Sequence, residues 1–197
     1  MDKKLQIIGL AGTNGSGKDT IGNILADKHG YLFISVTELL RAEAIRRGQP
    51  VEREVLRTIS AEWRREAGLG VLVDKAVAEY ETAKNGYAGV VIASLRNPGE
   101  ADSIHELGGT MIWIDADPHL RYDRIQANAT NRGRAKEDAK TFEQFQAEET
   151  TEMNKPTDGD DANLNMSAVK TRCDVFINND DTDIAAFRAT IEKTLKL

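Results

Sequence analysis

The sequence predicts an α/β protein in which helices cover both faces of a five-stranded parallel sheet, folded as one domain over residues 1–197. Short apolar runs alternate with longer amphipathic segments along the chain. Strands separated by helices of about ten or more residues run parallel, because the crossover returns the chain to the same edge of the sheet. The runs at 5–11, 89–93 and 109–114 are continuously apolar, as in strands that are buried on both faces.

The first half of the chain is predicted to contain two strands and four helices. The strands are apolar runs at 5–11 and 31–36. Gly30 stands where the helix between them should end, since glycine is the usual C-terminal stop. Val55, Ile59 and Trp63 recur every fourth residue, which is the spacing of one helical face. The predicted helices of this half are 21–29, 38–47, 52–66 and 71–84.

The second half adds three strands and two helices. Strands are predicted at 89–93, 109–114 and 174–177, and helices at 118–128, which begins at a proline, and 183–195. The polar stretch 130–166 fits neither pattern, and its composition favours a solvated surface helix and loop, with a mobile lid at about 130–160 as the competing interpretation. Its acidic residues are Glu137, Asp138, Glu143, Glu148, Glu149, Glu152, Asp158, Asp160 and Asp161.

Composition excludes several functional classes. The net charge is −6, which argues against a nucleic-acid partner because phosphate backbones select a basic excess. The single cysteine, Cys173, excludes an internal disulfide framework and a multi-cysteine zinc site, and predicts a cytoplasmic protein. No apolar run approaches the roughly 18 residues of a membrane span, so no membrane partner is expected.

A glycine-rich motif between the first strand and the first helix is the strongest functional signal. It reads Gly12-Thr13-Asn14-Gly15-Ser16-Gly17-Lys18, the G-x-x-x-x-G-K spacing of the Walker A phosphate-binding loop. Glycines let backbone N–H groups approach phosphate oxygens, and the following helix directs its positive end at the same anion. Lys18 supplies a charge that reaches the β- and γ-phosphates. The motif predicts ATP binding by a three-layer α/β/α P-loop NTPase fold.

The residue after the lysine departs from the standard motif. Asp19 stands where the motif has the serine or threonine that binds magnesium, and Thr20 follows one place later. We expect Mg²⁺ to arrive with ATP and to be held by Thr20 and Asp19. The competing interpretation is that Asp19 only complements the positive end of the helix.

The G-K-x-T form resembles nucleoside monophosphate kinases of the adenylate kinase type, and the likeness continues along nearly the whole chain. The segment from Ile34 to Glu43 resembles their acceptor segment, which implies that about 37–85 binds the acceptor and that Arg41 grips its phosphate. Arg96 follows the third strand as in the Asp-Gly-x-Arg segment of these kinases, which implies a second acceptor contact. Here Ala93 and Ser94 replace the Asp-Gly pair, so the carboxylate of that segment is missing. Similar segments occur in archaeal kinase-like proteins.

The same resemblance supplies expectations for the rest of the site. Arg121, Arg124, Arg132 and Arg134 are similar to lid arginines, which neutralise charge during phosphoryl transfer; Arg121 could instead form a surface pair with Asp117. Asn178 and Asn179 follow the last strand, where related kinases border the adenine of ATP.

The sequence therefore predicts a kinase that transfers the γ-phosphoryl group of Mg–ATP to a small phosphorylated acceptor, with a nucleoside or deoxynucleoside monophosphate as first candidate. The expected catalytic residues are Lys18, Arg96, Arg132 and Arg134. One rival is a dephospho-coenzyme A kinase, although the Asp-x-Asp segment typical of those enzymes is replaced by Thr37-Glu38-Leu39-Leu40-Arg41. A second rival is an ATP-binding switch protein that transfers no phosphate. Monomer and homodimer remain open.

Overall fold

The computed structural model describes residues 6–83, 86–128, 139–154, 159–181 and 183–195. The strands are β1 (Gln6–Gly12), β2 (Tyr31–Ser35), β3 (Gly89–Ala93), β4 (Thr110–Asp115) and β5 (Val175–Asn178). The helices are α1 (Lys18–His29), α2 (Val36–Arg46), α3 (Arg53–Ala67), α4 (Val71–Ala83), α5 (Pro98–Glu106), α6 (Pro118–Ala127), α7 (Phe142–Met153), α8 (Met166–Lys170) and α9 (Ile184–Leu195).

The sheet is parallel and has the order β2-β3-β1-β4-β5, which confirms the predicted fold class. The central strand β1 lies between β3 and β4, so that Leu10 is in register with both Ala93 and Ile112. The loops after β1, β3 and β4 therefore leave the sheet at the same edge. This edge, outside the carboxyl ends of the strands, is where open α/β sheets bind their ligands.

Two apolar clusters cover the two faces of the sheet, because successive strand residues point to opposite sides. On one face, β-strand residues pack against Ile21 and Leu25 of α1 and against Phe187 and Ile191 of α9. On the other face, the sheet packs against the helices α2 to α5 and α8. These layers fix the strand ends and hence the spacing of the loops at the ligand-binding edge.

The element boundaries differ from the predicted ones mainly at three places. Helix α1 begins at Lys18 rather than at residue 21, so the P-loop lysine is already in the helix. Helix α5 was not predicted; Asn97 and Glu100 form a capping box at its start. In the acidic stretch, α7 is the predicted surface helix over most of its length, but its residues Phe145 and Glu152 are buried.

Arg132 and Arg134 lie outside the described residues, as does most of the segment between α6 and α7. In the ranges that are described, none of the helices has both the length and the apolar character needed to cross a bilayer.

Candidate active site

The P-loop is shaped by glycines that no other residue can replace without distortion. Gly12 has φ 141°, and a Cβ there would lie 1.9 Å from the carbonyl oxygen of Ile114. Gly17 has φ 99°, and a Cβ there would lie 2.5 Å from Nδ2 of Asn179. Gly17 is also the N-cap of α1 and supplies no capping side chain. The first N–H groups of this helix therefore face the loop, as an anion-binding helix N-terminus requires.

Lys18 is folded back onto the loop. Its ammonium donates to the carbonyl oxygens of Gly12 (2.9 Å) and Thr13 (2.5 Å) and lies 3.5 Å from Oγ of Ser16. The side chain is 8% exposed. Burial, together with the positive charge of Arg96, lowers the pKa of Lys18 from 10.5 to about 7. A phosphate beside this ammonium would replace the missing solvation and restore its usual pKa.

A cavity of about 480 Å³ opens in front of the P-loop, which is within the roughly 300–1,000 Å³ range of small-molecule sites. Asn14, Gly15 and Gly17 of the loop line it together with Lys18. The remaining lining residues include Asp19, Thr20, Ser35, Ser94, Arg96, Arg124, Ile125, Asn179, Ile184 and Phe187.

The predicted magnesium ligands both lie on the wall of this cavity. Asp19 is exposed and Thr20 is half-buried, and both lie in the first turn of α1, directly after Lys18. No group of three or more His, Cys, Asp or Glu residues that could bind a metal occurs in the described ranges. A carboxylate and a hydroxyl without such a cluster suit Mg²⁺, which takes one or two protein ligands and completes its octahedron with phosphate oxygens and water.

A buried ion pair supports the back of the P-loop. Arg121 donates to the carbonyl oxygens of Ala116 (2.8 Å) and Asn14 (3.2 Å), and its guanidinium binds Glu149 of α7. The arginine is only 2% exposed, so the alternative interpretation, a surface pair with Asp117, is wrong. Instead, Asp117 caps α6 through the N–H groups of His119 and Leu120.

Asp115 is a loop-supporting residue that the sequence pattern did not single out. It ends β4, and its carboxylate accepts a hydrogen bond from Oγ1 of Thr13 at 2.7 Å. The signal that could have found it is an acidic residue at the carboxyl end of a strand next to β1.

Arg124 and Asn179 form one side of the large cavity. Arg124 donates to the carbonyl oxygens of Asn179 and Asp181, both at 2.9 Å. The side chain of Asn179 donates to the carbonyl oxygen of Ser16 at 2.9 Å and so ties the loop after β5 to the P-loop. Asn178 is exposed, binds Asp180 at 2.6 Å, and is not among the lining residues. Of the two predicted adenine contacts, the structure therefore places only Asn179 at the cavity.

A second cavity, of about 60 Å³, lies between α2, α3 and the loop after β3. Five arginines line it, Arg41, Arg53, Arg57, Arg64 and Arg96, and the polar residues Ser60 and Ser94 lie beside them. The structure thus brings together the two predicted acceptor residues, Arg41 and Arg96. Arg53 and Arg57 were missed, because exposed and inward-facing arginines on an amphipathic helix look alike in sequence.

The backbone at Arg96 is held by a buried ion pair. Arg64 donates to Glu100 at 2.6 Å, and their side chains are 2% and 0% exposed. The other oxygen of Glu100 accepts from the backbone N–H groups of Arg96 (2.6 Å) and Asn97 (3.0 Å). The carbonyl oxygen of Arg96 accepts from the N–H of Asn165 at 3.1 Å. Arg64 therefore helps to position Arg96 through Glu100. It also lines the cavity itself.

Ser94 has a strained backbone at the junction of the two cavities. Its φ of 70° makes it the one non-glycine residue with positive φ in the described part of the chain. It lines both cavities. Glycine would adopt this conformation without strain, so Ser94 places a hydroxyl at the junction at a conformational cost.

The carboxylate of Glu152 lies among the arginines. It accepts from Nη1 of Arg96 at 2.6 Å and from Nη2 of Arg57 at 2.7 Å, and Nη1 of Arg53 is 3.5 Å away. Burial by itself would favour the protonated acid, but the three guanidinium groups overcome it and lower the pKa of Glu152 to about 2. The carboxylate is therefore charged at any pH at which the protein would be assayed.

Comparison with known proteins agrees with this architecture. The AAA domain family AAA_18 matches residues 8–150, from β1 to α7. The chain belongs to this family. It is 29% identical to a UPF0200 protein of Pyrobaculum aerophilum over 195 residues, covering 97% of each chain. It is also 31% identical to a shikimate kinase of Gloeobacter violaceus over 121 residues, covering 59% of this chain and 60% of that enzyme.

A solved structure extends the likeness over the whole chain of this AAA domain protein. The shikimate kinase of Bacteroides thetaiotaomicron superposes with a TM-score of 0.62, covering 98% of this chain and 99% of that one at 15% identity. At that identity the match establishes the fold alone. The protein is thus a P-loop NTPase of kinase-like fold, as the Walker A motif and the strand order indicate.

Proposed function

We propose that this P-loop protein transfers the γ-phosphoryl group of Mg–ATP to a small phosphorylated acceptor, with a nucleoside or deoxynucleoside monophosphate as first candidate. The observation that carries the proposal is the position of Arg96, which lines both the large cavity at the P-loop and the arginine-lined cavity beside it. A donor phosphate on the P-loop and an acceptor anion among the arginines would meet at this residue.

The nucleotide would occupy the large cavity. Lys18 and the loop N–H groups would bind its β- and γ-phosphates, while Arg124 and Asn179 would lie on the side toward the base. The flat guanidinium of Arg124, held by two carbonyl oxygens, suits stacking on a base. Asp19 and Thr20 would hold Mg²⁺, which neutralises phosphate charge when bound.

In the transfer step, an oxygen of the acceptor attacks the γ-phosphorus while the bond to the β-phosphate oxygen breaks, and ADP leaves. An acceptor phosphate is already ionised, so positioning and charge neutralisation can suffice without a general base. This suits a site in which Ala93 replaces the carboxylate of the related kinases. We further propose that Arg132 and Arg134 neutralise charge in the transition state.

A hydroxy acid is a second candidate acceptor. The partial likeness to a shikimate kinase at 31% identity supports it, and a carboxylate would pair with the same arginines as a phosphate. A dephospho-coenzyme A kinase would transfer phosphate to dephospho-coenzyme A instead, and an ATP-binding switch protein would transfer it to none of these molecules.

The test is ADP release from Mg–ATP with a panel of acceptors. The panel contains the common ribo- and deoxynucleoside monophosphates, dephospho-coenzyme A, shikimate and gluconate. Lys18→Ala is the blank, and Lys28→Ala, an exposed position at the far end of the same helix, is the matched control. We expect one acceptor class to give ADP release that Lys18→Ala abolishes and Lys28→Ala retains. ATP binding without release for any acceptor would overturn the kinase proposal and favour the switch.

A further inference from the structure

We infer that Glu152 is an internal anion that occupies the acceptor's anionic subsite, and that a phosphate or carboxylate group of the acceptor displaces it from Arg53, Arg57 and Arg96. The inference rests on the proposed function for the identity of the acceptor, which it restricts to molecules bearing such a group. It also assigns Arg53 and Arg57 to acceptor recognition.

The contacts of Glu152 are those of a bound anionic ligand. Both carboxylate oxygens are engaged, one by Arg96 from the loop after β3 and the other by Arg57 from α3. The side chain is 9% exposed. Two separate elements thus direct guanidinium groups at one carboxylate, and planar guanidinium groups bind phosphate in the same way.

Unused donors remain on two arginines of the smaller cavity. The Nε atoms of Arg41 and Arg57 are buried and, in the described part of the chain, have no hydrogen-bond partner. The nearest acidic oxygen to Arg41 Nε, on Glu38, is 3.6 Å away, beyond good hydrogen-bond distance. Both arginines line the smaller cavity. A group with three or four oxygens would satisfy donors that one carboxylate leaves unpaired.

Glu152 borders a further cavity that adjoins the arginine-lined one. Its side chain and that of Thr151 line a third cavity of about 220 Å³. Arg57, Ser60, Arg64 and Leu164 line both that cavity and the 60 Å³ one. The two adjoining spaces, about 60 and 220 Å³, together approach the roughly 300 Å³ of the smallest ligand pockets.

The two ends of helix α7 are held by different parts of the structure. The first half is anchored on α6, where Phe142 stacks on His119 at 3.9 Å and Phe145 and Phe142 contact Tyr122. Glu152 lies at the other end, one residue before the last helical residue. Its charge also acts on Lys18, so the acceptor anion would take over a charge that already faces the P-loop.

The direct test measures anion binding without ATP or phosphoryl transfer. All proteins carry Lys18→Met, which removes the lysine contact of the P-loop. Orthophosphate and acetate are titrated calorimetrically into this parent and into the parent with Glu152→Gln. We expect Glu152→Gln to tighten anion binding at least tenfold. A gain for orthophosphate alone assigns the acceptor a phosphate group, and a gain for acetate as well extends the subsite to carboxylates.

Two variants locate the effect. Glu54→Gln removes an exposed carboxylate that binds the same Arg57 from the solvent side at 2.6 Å and should leave anion binding unchanged. Adding Arg57→Met to Glu152→Gln should abolish the gain. Unchanged binding in Glu152→Gln, an equal gain in Glu54→Gln, or a gain that survives Arg57→Met would each overturn the inference.

A measurement on the unaltered protein covers the case in which Glu152→Gln does not fold. Saturating orthophosphate should accelerate amide hydrogen exchange in the last turn of α7, while α5 is unaffected. Unchanged exchange in that turn at saturation would overturn the inference. Because neither measurement uses ATP turnover, a failure of the kinase proposal in the ADP assay is distinguishable from a failure here.

Discussion

Lys18 is a buried cation, and this predicts a pH-dependent stability. Its pKa falls from 10.5 in the unfolded chain to about 7 in the folded protein, first because of burial and then because of Arg96. Below pH 7 both states hold the ammonium, and its destabilising effect is fully present. Between pH 7 and 10.5 the unfolded chain binds more protons, so the free energy of unfolding rises with pH through this window.

The magnitude follows from the two pKa values. At about 1.36 kcal/mol for each pKa unit, the contribution of Lys18 to the free energy of unfolding increases by about 2 kcal/mol between pH 7 and 9. Groups other than Lys18 titrate in the same way in the wild type and in Lys18→Met. We therefore expect the stability of the wild type relative to Lys18→Met to rise by about this amount over the window.

The assay is urea unfolding of both proteins without nucleotide, at several pH values from 7 to 9. Lys28→Met is the control, since Lys28 is exposed at the other end of α1, and its difference from the wild type should stay constant with pH. A constant difference for Lys18→Met as well would show that the ammonium is adequately solvated by its carbonyl partners, and the reasoning from burial would be refuted.

Three further outcomes are expected. Ser94→Gly relieves the positive φ and should raise the free energy of unfolding by roughly 0.5–1 kcal/mol in urea titration; destabilisation would mean that the hydroxyl makes a stabilising contact. Arg64→Met leaves Glu100 buried without its partner and should lower the free energy of unfolding by about 3–5 kcal/mol in the same titration, with partial recovery on adding Glu100→Gln; full stability of the single variant would contradict this. Burial, reinforced by Asp174, raises the pKa of Cys173 to about 12, so its reaction with a disulfide reagent at pH 8 should be at least about 100-fold slower than after unfolding, and equal rates would show that the thiol is accessible.

Much of the site near the P-loop could be predicted from local sequence. The glycines, Lys18 and the first turn of α1 are consecutive residues, and the backbone geometry they need is a property of that short segment. Arg96 was predictable because the end of a parallel strand next to β1 lies at the ligand-binding edge whatever the rest of the chain does. The alternation of apolar runs with helices was likewise sufficient for the parallel sheet.

The arginine cluster was decided by tertiary packing. Glu152 lies 95 residues after Arg57 in the sequence, and the composition of the acidic stretch favoured a solvated helix. Packing of Phe145 against α6 turns α7 so that Glu152 faces the arginines. A charged residue on an amphipathic helix carries no mark of the partner it will meet, because that partner is set by the rotation of the helix about its axis. The sequence alone therefore determined the fold and the phosphate loop, whereas the charge arrangement of the acceptor side depended on how α3 and α7 pack.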